Sequence, residues 1–347
     1  MGREVRQLVF VEPGKLQWQD APDPSPGSRQ AVVRPLAVSR CDLDIAMAAF
    51  GIFPGPFTVG HEIAAEVVDV GPGVTRLAPG QRVALPFQVS CGTCRPCGER
   101  HYAACEPNQA RAGAAFGFGE SGGGHGGGMA DLLLVPDADH MLLPAPESIS
   151  DVALATTTDN LIDGYRAVVD GLRERPGAEV LIVGGDAPSI SLYTILCAQA
   201  LGAGRIRYAD SDSQRLAVAS DLGADVTDLG GEFPRRLDRS PIVVSGSLHV
   251  EGLHCAIRST DAMGRITPIT IHFGPGVPLP LLEMYTRGVT FHTSRADSRR
   301  YLPEVLDLVA SGRIDPLAVP TTVVDWVEAA DRWMDPVLKL VVTHNSR

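Results

Sequence analysis

The sequence predicts an α/β protein in two parts, an irregular β-rich part followed by a doubly wound parallel sheet. Three observations predict it. Gly and Pro punctuate short apolar runs up to about residue 155, apolar strands alternate with amphipathic helical patterns after about residue 160, and four cysteines lie between residues 91 and 105. With 347 residues, the chain has room for two buried cores at roughly 100 to 200 residues per domain.

In the first part, AVVRPLAV, EVVDVG and QRVALPF read as strands, bounded by the turn signals PDPSPG and VGPGV. The glycine run SGGGHGGG at 121–128 reads as a flexible loop with His125 in solvent. The second part opens with VLIVGG, then the helical SISLYTILCAQALGA, then IRYAD, SQRLAVASDLGA, ADVTDL, IVVSG and EGLHCAIRST. Strand, helix, strand at this spacing marks βαβ units. Cys197 and Cys255 fall on its apolar helical stretches and read as packing residues. The last 50 residues hold a helix, LPEVLDLVASGRI, and a strand, LKLVVT, which either close the second domain or return to the first.

Hydrophobic residues at 44% and charged residues at 20% are a globular composition, neither disordered nor membrane-embedded. Thirty basic against 41 acidic side chains leave a net charge of −11, which repels nucleic acid and anionic lipid over most of the surface. No apolar run approaches the ~20 residues that span a bilayer, and the first residues lack a signal-peptide core. A cytoplasmic protein is expected, because seven cysteines are an odd number and four sit at metal-ligand spacing.

Those four, Cys91, Cys94, Cys97 and Cys105, are written C-x2-C-x2-C-x7-C. Four thiolates satisfy tetrahedral Zn²⁺ with no open position, and an iron–sulfur cluster accepts the same set; the turn-forming Cys-Gly-Thr-Cys and Cys-Arg-Pro-Cys favour zinc. Such a closed site stabilises a lobe and does no chemistry. Cys41, His61 and Asp159 are a scattered second group of a kind that leaves a metal one open position, although spacing alone does not select them.

Gly60-His61-Glu62 with Glu66-Val67-Val68 and Gly71, preceded by Cys41 and Asp44 and followed by the four cysteines, resembles the zinc-dependent alcohol dehydrogenases of the medium-chain dehydrogenase/reductase family. The resemblance covers essentially the whole chain. It implies a GroES-like, mostly-β catalytic domain at 1–158 with the zinc lobe at about 91–105, a Rossmann nucleotide-binding domain at 159–297, and a C-terminal segment at 298–347 that returns to the first domain. It implies catalytic-zinc ligands at Cys41, His61 and Asp159, with Glu62 beside the metal, Asp44 in the catalytic set, and two zinc ions per chain. The segment TDN-x-x-x-Gly-Tyr is similar to the branch whose third ligand is Asp.

VLIVGGDAPSISLY stands where a Rossmann phosphate loop belongs, with Gly184 and Gly185 ending the strand and Ser189 and Ile190 opening the helix. The later glycines of the G-x-G-x-x-G pattern are missing, Asp186 brings an acid, and Ser191 replaces a glycine. Asp210 ends the next strand, where a carboxylate accepts the ribose hydroxyls of NAD and repels the 2′-phosphate of NADP; alternatively Asp210 or Asp212 caps the helix that contains Arg215. Gly184, Gly185, Ser189, Ile190, Asp210 and Arg215 are the expected cofactor set.

The chain also departs from the family. Leu43 stands where relatives carry Ser or Thr to pass the alcohol proton, so the proton needs another route through water, Glu62 or Asp44. Asp42, Asp163 and Asp186 crowd a region that should welcome an anion. The expectation is a zinc-dependent, NAD-linked oxidoreductase of a small-molecule alcohol, aldehyde or ketone, forming a homodimer or homotetramer. The alternatives are a redox-neutral or non-redox member, or a binding or assembly protein that keeps the fold.

Overall fold

The computed structural model describes residues 5–108, 113–274 and 276–344. Contacts divide the chain into two units, Met1–Ile162 with Ala296–Ser311 and Thr321–Arg347, and Asp163–Arg295 with Gly312–Pro320.

The first unit begins with the antiparallel hairpin β1 (Val5–Glu12) and β2 (Lys15–Ala21), turned at Gly14. After β3 (Ala31–Ser39) and helix α1 (Asp42–Phe50), the short β4 (Phe57–Thr58) adds to β1. The larger sheet is built from β3, β5 (Glu62–Val70), β6 (Arg82–Leu85), β7 (Leu133–Val135) and β8 (Leu143–Pro144). Strands Thr321–Asp325 and Lys339–Thr343 return from the end of the chain, so its order is Thr321–Asp325, Lys339–Thr343, β3, β5, β6, β8, with β7 also on β3. Apolar residues cover both faces of β3, seven of its nine residues being buried, and this central strand runs directly to Cys41. Helix α2 (Asp151–Thr156) follows, packing on β3 and β5, and α3 (Asn160–Glu174) carries the chain from the first unit into the second.

The second unit is a six-stranded parallel sheet of β9 (Glu179–Val183), β10 (Arg205–Asp210), β11 (Asp225–Asp228), β12 (Ser240–Ser245), β13 (Thr260–Pro268) and β14 (Thr290–Phe291). Its order, β11-β10-β9-β12-β13-β14, reverses direction between β9 and β12, which is the Rossmann arrangement with its switch point beside the first strand. Val180 to Val183 are almost wholly buried, as a strand covered on both faces requires. The crossovers carry helices α4 (Pro188–Ala200), α5 (Ser213–Asp221), α6 (Val250–Arg258) and α7 (Leu281–Arg287), whereas the β11 to β12 crossover has none. Among the described residues no helix is long and apolar enough to cross a membrane.

Candidate metal centre

Three elements of the first unit bring together the candidate ligands Cys41, His61 and Asp159. Cys41 stands at the N-cap of α1 in extended backbone, and the Asp44 carboxylate turns back to accept its N–H at 2.9 Å. An acid in the first helical turn is favoured by the exposed amides and dipole there. His61 precedes β5 behind Gly60, whose φ of +88° and lack of a Cβ matter, since a Cβ would stand 2.8 Å from Val38 Cγ1. Asp159 follows α2, and Thr158 Oγ1 just before it accepts the N–H of Ile63 at 3.0 Å, tying this turn to the His61 strand.

Cys41, His61 and Asp159 each bring a ligand atom within 4.8 Å of the others, and all are buried. His61 Nε2 lies 3.4 Å from Asp159 Oδ2, and Nδ1 lies 3.4 Å from Asp44 Oδ1 without an aligned hydrogen bond. Asp44 is therefore a second carboxylate, on the Nδ1 side of the ring, whose charge acts on the imidazole without a hydrogen bond to it. Glu62, also in the expected set, is directed elsewhere: both its oxygens accept from Lys339 Nζ, at 2.7 and 2.8 Å, and both residues are fully buried.

Lys339 also donates to the Arg40 carbonyl at 2.9 Å. The Arg40 guanidinium in turn donates to the carbonyls of Trp333, Asp335 and Val337 at 2.6 to 2.9 Å. Neither Arg40 nor Lys339 was expected from the sequence. The one available signal was a lysine inside the apolar strand LKLVVT, where a charge has to find a partner.

The electrostatics of this buried region are unbalanced. Cys41, Asp44, Glu62 and Asp159 are four acidic groups against the three basic groups His61, Arg40 and Lys339. Burial, then the charges of Asp159, Glu62 and Asp44, push the Cys41 thiol well above its ordinary range. Burial pulls His61 down, but Asp44, Asp159 and Glu62 outweigh it and hold its pKa at about 9. Asp44 is raised, chiefly by burial. A set that gathers negative charge away from water needs a cation to ionise its thiol, and a soft sulfur, an imidazole and a carboxylate suit a divalent transition ion.

Phe87 and Phe118 lie against the His61 ring, with centroids 5.3 and 5.0 Å away, and Phe53 meets Phe118 edge-on at 5.4 Å. Leu43 packs on the same apolar cluster. The neighbourhood of His61 is thus aromatic and aliphatic, with no hydroxyl at position 43.

The second set, Cys91, Cys94, Cys97 and Cys105, also gathers its sulfurs within 4.8 Å. Backbone amides point at them: Cys91 N donates to Cys105 Sγ at 3.2 Å and Cys94 N to Cys91 Sγ at 3.3 Å. The N–H groups of Thr93 and Cys94, the Thr93 hydroxyl and the Cys105 thiol overcome burial and lower the Cys91 thiol. The lobe is anchored through His140, whose ring packs on Tyr102 and meets Ser90 Oγ at 2.8 Å. Gly92 is required beside that ring, since a Cβ would come within 2.6 Å of it.

In the second unit, Asp210 closes β10 and lies fully engaged. Its Oδ1 accepts from Arg215 Nη2 at 2.7 Å and from the N–H groups of Ser211 and Asp212 at 2.7 and 3.0 Å, while Oδ2 accepts from the Tyr208 hydroxyl at 2.7 Å. Asp212, not Asp210, caps α5. Gly184 lets this carboxylate approach the loop, since a Cβ there would stand 2.2 Å from Asp210 Oδ2. Gly185 takes a φ of +142° beside Ser247. Ser189 and Ile190 are buried in the first turn of α4.

The loop amides turn inward: Asp186 N and Ala187 N both donate to the Gly246 carbonyl, at 2.7 and 3.0 Å. The acids that crowd the sequence have protein partners here. Asp186 accepts from Leu248 N at 2.6 Å and Asp163 pairs with Arg166 at 2.6 Å. Asp210 stands at the strand end where this fold meets an adenosine ribose, but it is buried with both oxygens held by protein donors, and the phosphate loop keeps two of its amides for itself.

Residues 27–147 match the alcohol dehydrogenase GroES-like domain family. The chain is 37% identical over 245 residues to the glutathione-independent formaldehyde dehydrogenase of Pseudomonas aeruginosa, a match that covers 66% of this chain and spans only 60% of that protein. It is 30% identical over 309 residues to the L-idonate 5-dehydrogenase of Vitis vinifera, covering 84% of this chain and 80% of that one. The alcohol dehydrogenase TADH from Thermus sp. ATN1 superposes with a TM-score of 0.86 at 26% identity, over 98% of this chain and 100% of that one. With a parallel Rossmann sheet, a GroES-like domain and these relatives, the chain belongs to the zinc-type alcohol dehydrogenases of the medium-chain dehydrogenase/reductase family.

Proposed function

We propose that the chain is a zinc- and NAD(H)-dependent oxidoreductase interconverting a small alcohol and its aldehyde or ketone at Cys41, His61 and Asp159. The observation that carries this reading is the buried three-donor set, separate from the four cysteines and short of one ligand for a tetrahedral ion. A zinc ion held there supplies a Lewis acid for the substrate oxygen, and a nicotinamide supplies the hydride carrier. Asp44 places a negative charge 3.4 Å from His61 Nδ1, behind the imidazole that faces Asp159. Lys339 holds Glu62 to one side and neutralises it. Phe53, Phe87, Phe118 and Leu43 give the surroundings an apolar character that suits a small uncharged substrate. The Asp210 carboxylate at the end of β10 supports NAD over NADP.

The proton path is the unusual feature. Leu43 offers no hydroxyl, Asp44 and Glu62 are 2% and 0% exposed, Lys339 holds both oxygens of Glu62, and Cys41 N–H holds Oδ2 of Asp44. This arrangement favours a second reading, a redox-neutral dismutation in which two aldehydes and one water give one carboxylic acid and one alcohol. The proton released on oxidising the hydrated aldehyde is then consumed on reducing the second molecule, so net alcohol oxidation is not coupled to an exit path. A screen of small alcohols and aldehydes with NAD(H), followed at the nicotinamide absorbance beside a zinc-stripped blank, tests the first reading. Equal amounts of acid and alcohol formed from aldehyde at trace NAD, with no build-up of NADH, would select the second. No turnover on either assay would overturn both.

A further inference from the structure

The β11 to β12 crossover, residues 229–239, covers one side of the parallel sheet with irregular chain instead of a helix. Beside it opens a cavity of about 510 Å³ lined by Arg207, Thr227, Arg235, Arg236, Leu237 and Asp238. Three guanidinium groups against one carboxylate make it a local exception in a chain of net charge −11.

The cavity floor is built and held in place. The Arg207 side chain is 11% exposed, its Nε donating to Glu179 Oε1 at 2.7 Å and its Nη2 to the Asp238 carbonyl at 2.8 Å and Ser240 Oγ at 2.7 Å. Leu237 N donates to Ser259 Oγ at 2.8 Å, fixing the middle of the crossover. The rim is less committed. Arg236 reaches only the carbonyl of its neighbour Leu237, at 3.5 Å, and Arg235 reaches Glu283 at 3.7 Å, a carboxylate that Arg258 already holds at 3.0 Å. Two guanidinium groups thus stand on a fixed loop without a close carboxylate of their own, a geometry suited to bidentate contacts with phosphate oxygens.

We infer that this cavity is a binding site for a small di- or polyphosphate anion, held by Arg235 and Arg236 over the Arg207 floor. The Arg207 floor of the site lies toward the amino ends of the strands. Glu179 and Ser240, to which Arg207 is bonded, are the first residues of β9 and β12, whereas a dinucleotide lies beyond the carboxyl ends of such strands. The two ligands therefore bind together, and the inference does not depend on the metal reading.

Calorimetric titration of the full chain with inorganic pyrophosphate tests it. The wild type should bind, the exposed-loop double variant Arg235→Gln, Arg236→Gln should bind about tenfold more weakly or not at all while keeping its melting temperature, and saturating NADH should leave wild-type binding unchanged. Equal binding by wild type and double variant, an absence of wild-type binding, or displacement of pyrophosphate by NADH would each overturn the proposal, the last by moving the anion to the dinucleotide end.

Discussion

The four-cysteine lobe and the Cys41, His61, Asp159 centre bring ligand atoms equally close, within 4.8 Å, yet they are built in opposite ways. The lobe takes its sulfurs from one short loop and steadies them with that loop's own amides and a threonine hydroxyl. The centre takes its donors from three separate elements and surrounds them with buried charge, including Lys339 at the start of the returning C-terminal strand and Arg40, whose carbonyl Lys339 bonds. A local site costs little to assemble and is chemically closed, whereas a site gathered from distant elements depends on the fold and keeps room for a reactant.

The sharpest way to break the second region and leave the first intact is Lys339→Met. It strands the fully buried Glu62 carboxylate, and removing one partner of a buried pair costs about 3 to 5 kcal/mol. Chemical denaturation should show that loss, with part of it recovered in the Lys339→Met, Glu62→Gln double variant. A change below about 0.5 kcal/mol would mean the pair is only space-filling.

Asp44→Asn keeps the size and the acceptor for Cys41 N–H but removes the charge behind the imidazole. Zinc affinity of the open centre should fall roughly 10- to 100-fold, as for other groups that orient a metal ligand, while competition with a chelator should show the four-cysteine lobe unaffected. Equal weakening of both sites would contradict their independence.

The lobe has its own sensitivity, to acid. Burial first, then the charges of Arg299 and Arg29, lower His140 to about 4 from the ordinary 6.5. The unfolded chain therefore takes up a proton below pH 6.5 that the folded chain refuses, so stability is full above 6.5 and declines as pH falls toward 4. At 1.36 kcal/mol per pH unit the decline has an upper limit of about 3 kcal/mol. Unfolding titrations of wild type and His140→Gln across that window should differ in slope, and parallel curves would remove His140 as the cause.

Leu43→Ser returns a hydroxyl to the open centre. If net alcohol oxidation is limited by proton exit, turnover at neutral pH should rise about tenfold, and the wild-type rate should rise more steeply with pH than the variant's. No gain, with a flat wild-type profile, would place Leu43 in substrate packing and favour the dismutation reading.

How much of this was legible in the sequence follows the same divide. The lobe could be read directly, because Cys91 to Cys105 lie within one loop and thiol spacing carries its own chemistry. The parallel sheet could be read from βαβ alternation, and Asp210 from its place at the end of a strand. Cys41, His61 and Asp159 needed a family resemblance, since residues brought together only by sheet pairing leave no local pattern. Arg40 and Lys339 were missed because their main partners are backbone carbonyls and one acid far along the chain. The inward-turned amides of Asp186 and Ala187 were hidden too, since a backbone N–H has the same sequence signature whether it faces a phosphate or Gly246.

Metal analysis of the purified protein tests the central claim most directly. Two zinc ions per chain are expected in the wild type and one in the Cys41→Ala, His61→Ala variant, with the retained ion lost only when a lobe cysteine is also replaced. A wild-type content of one, held by the four cysteines, would contradict the account.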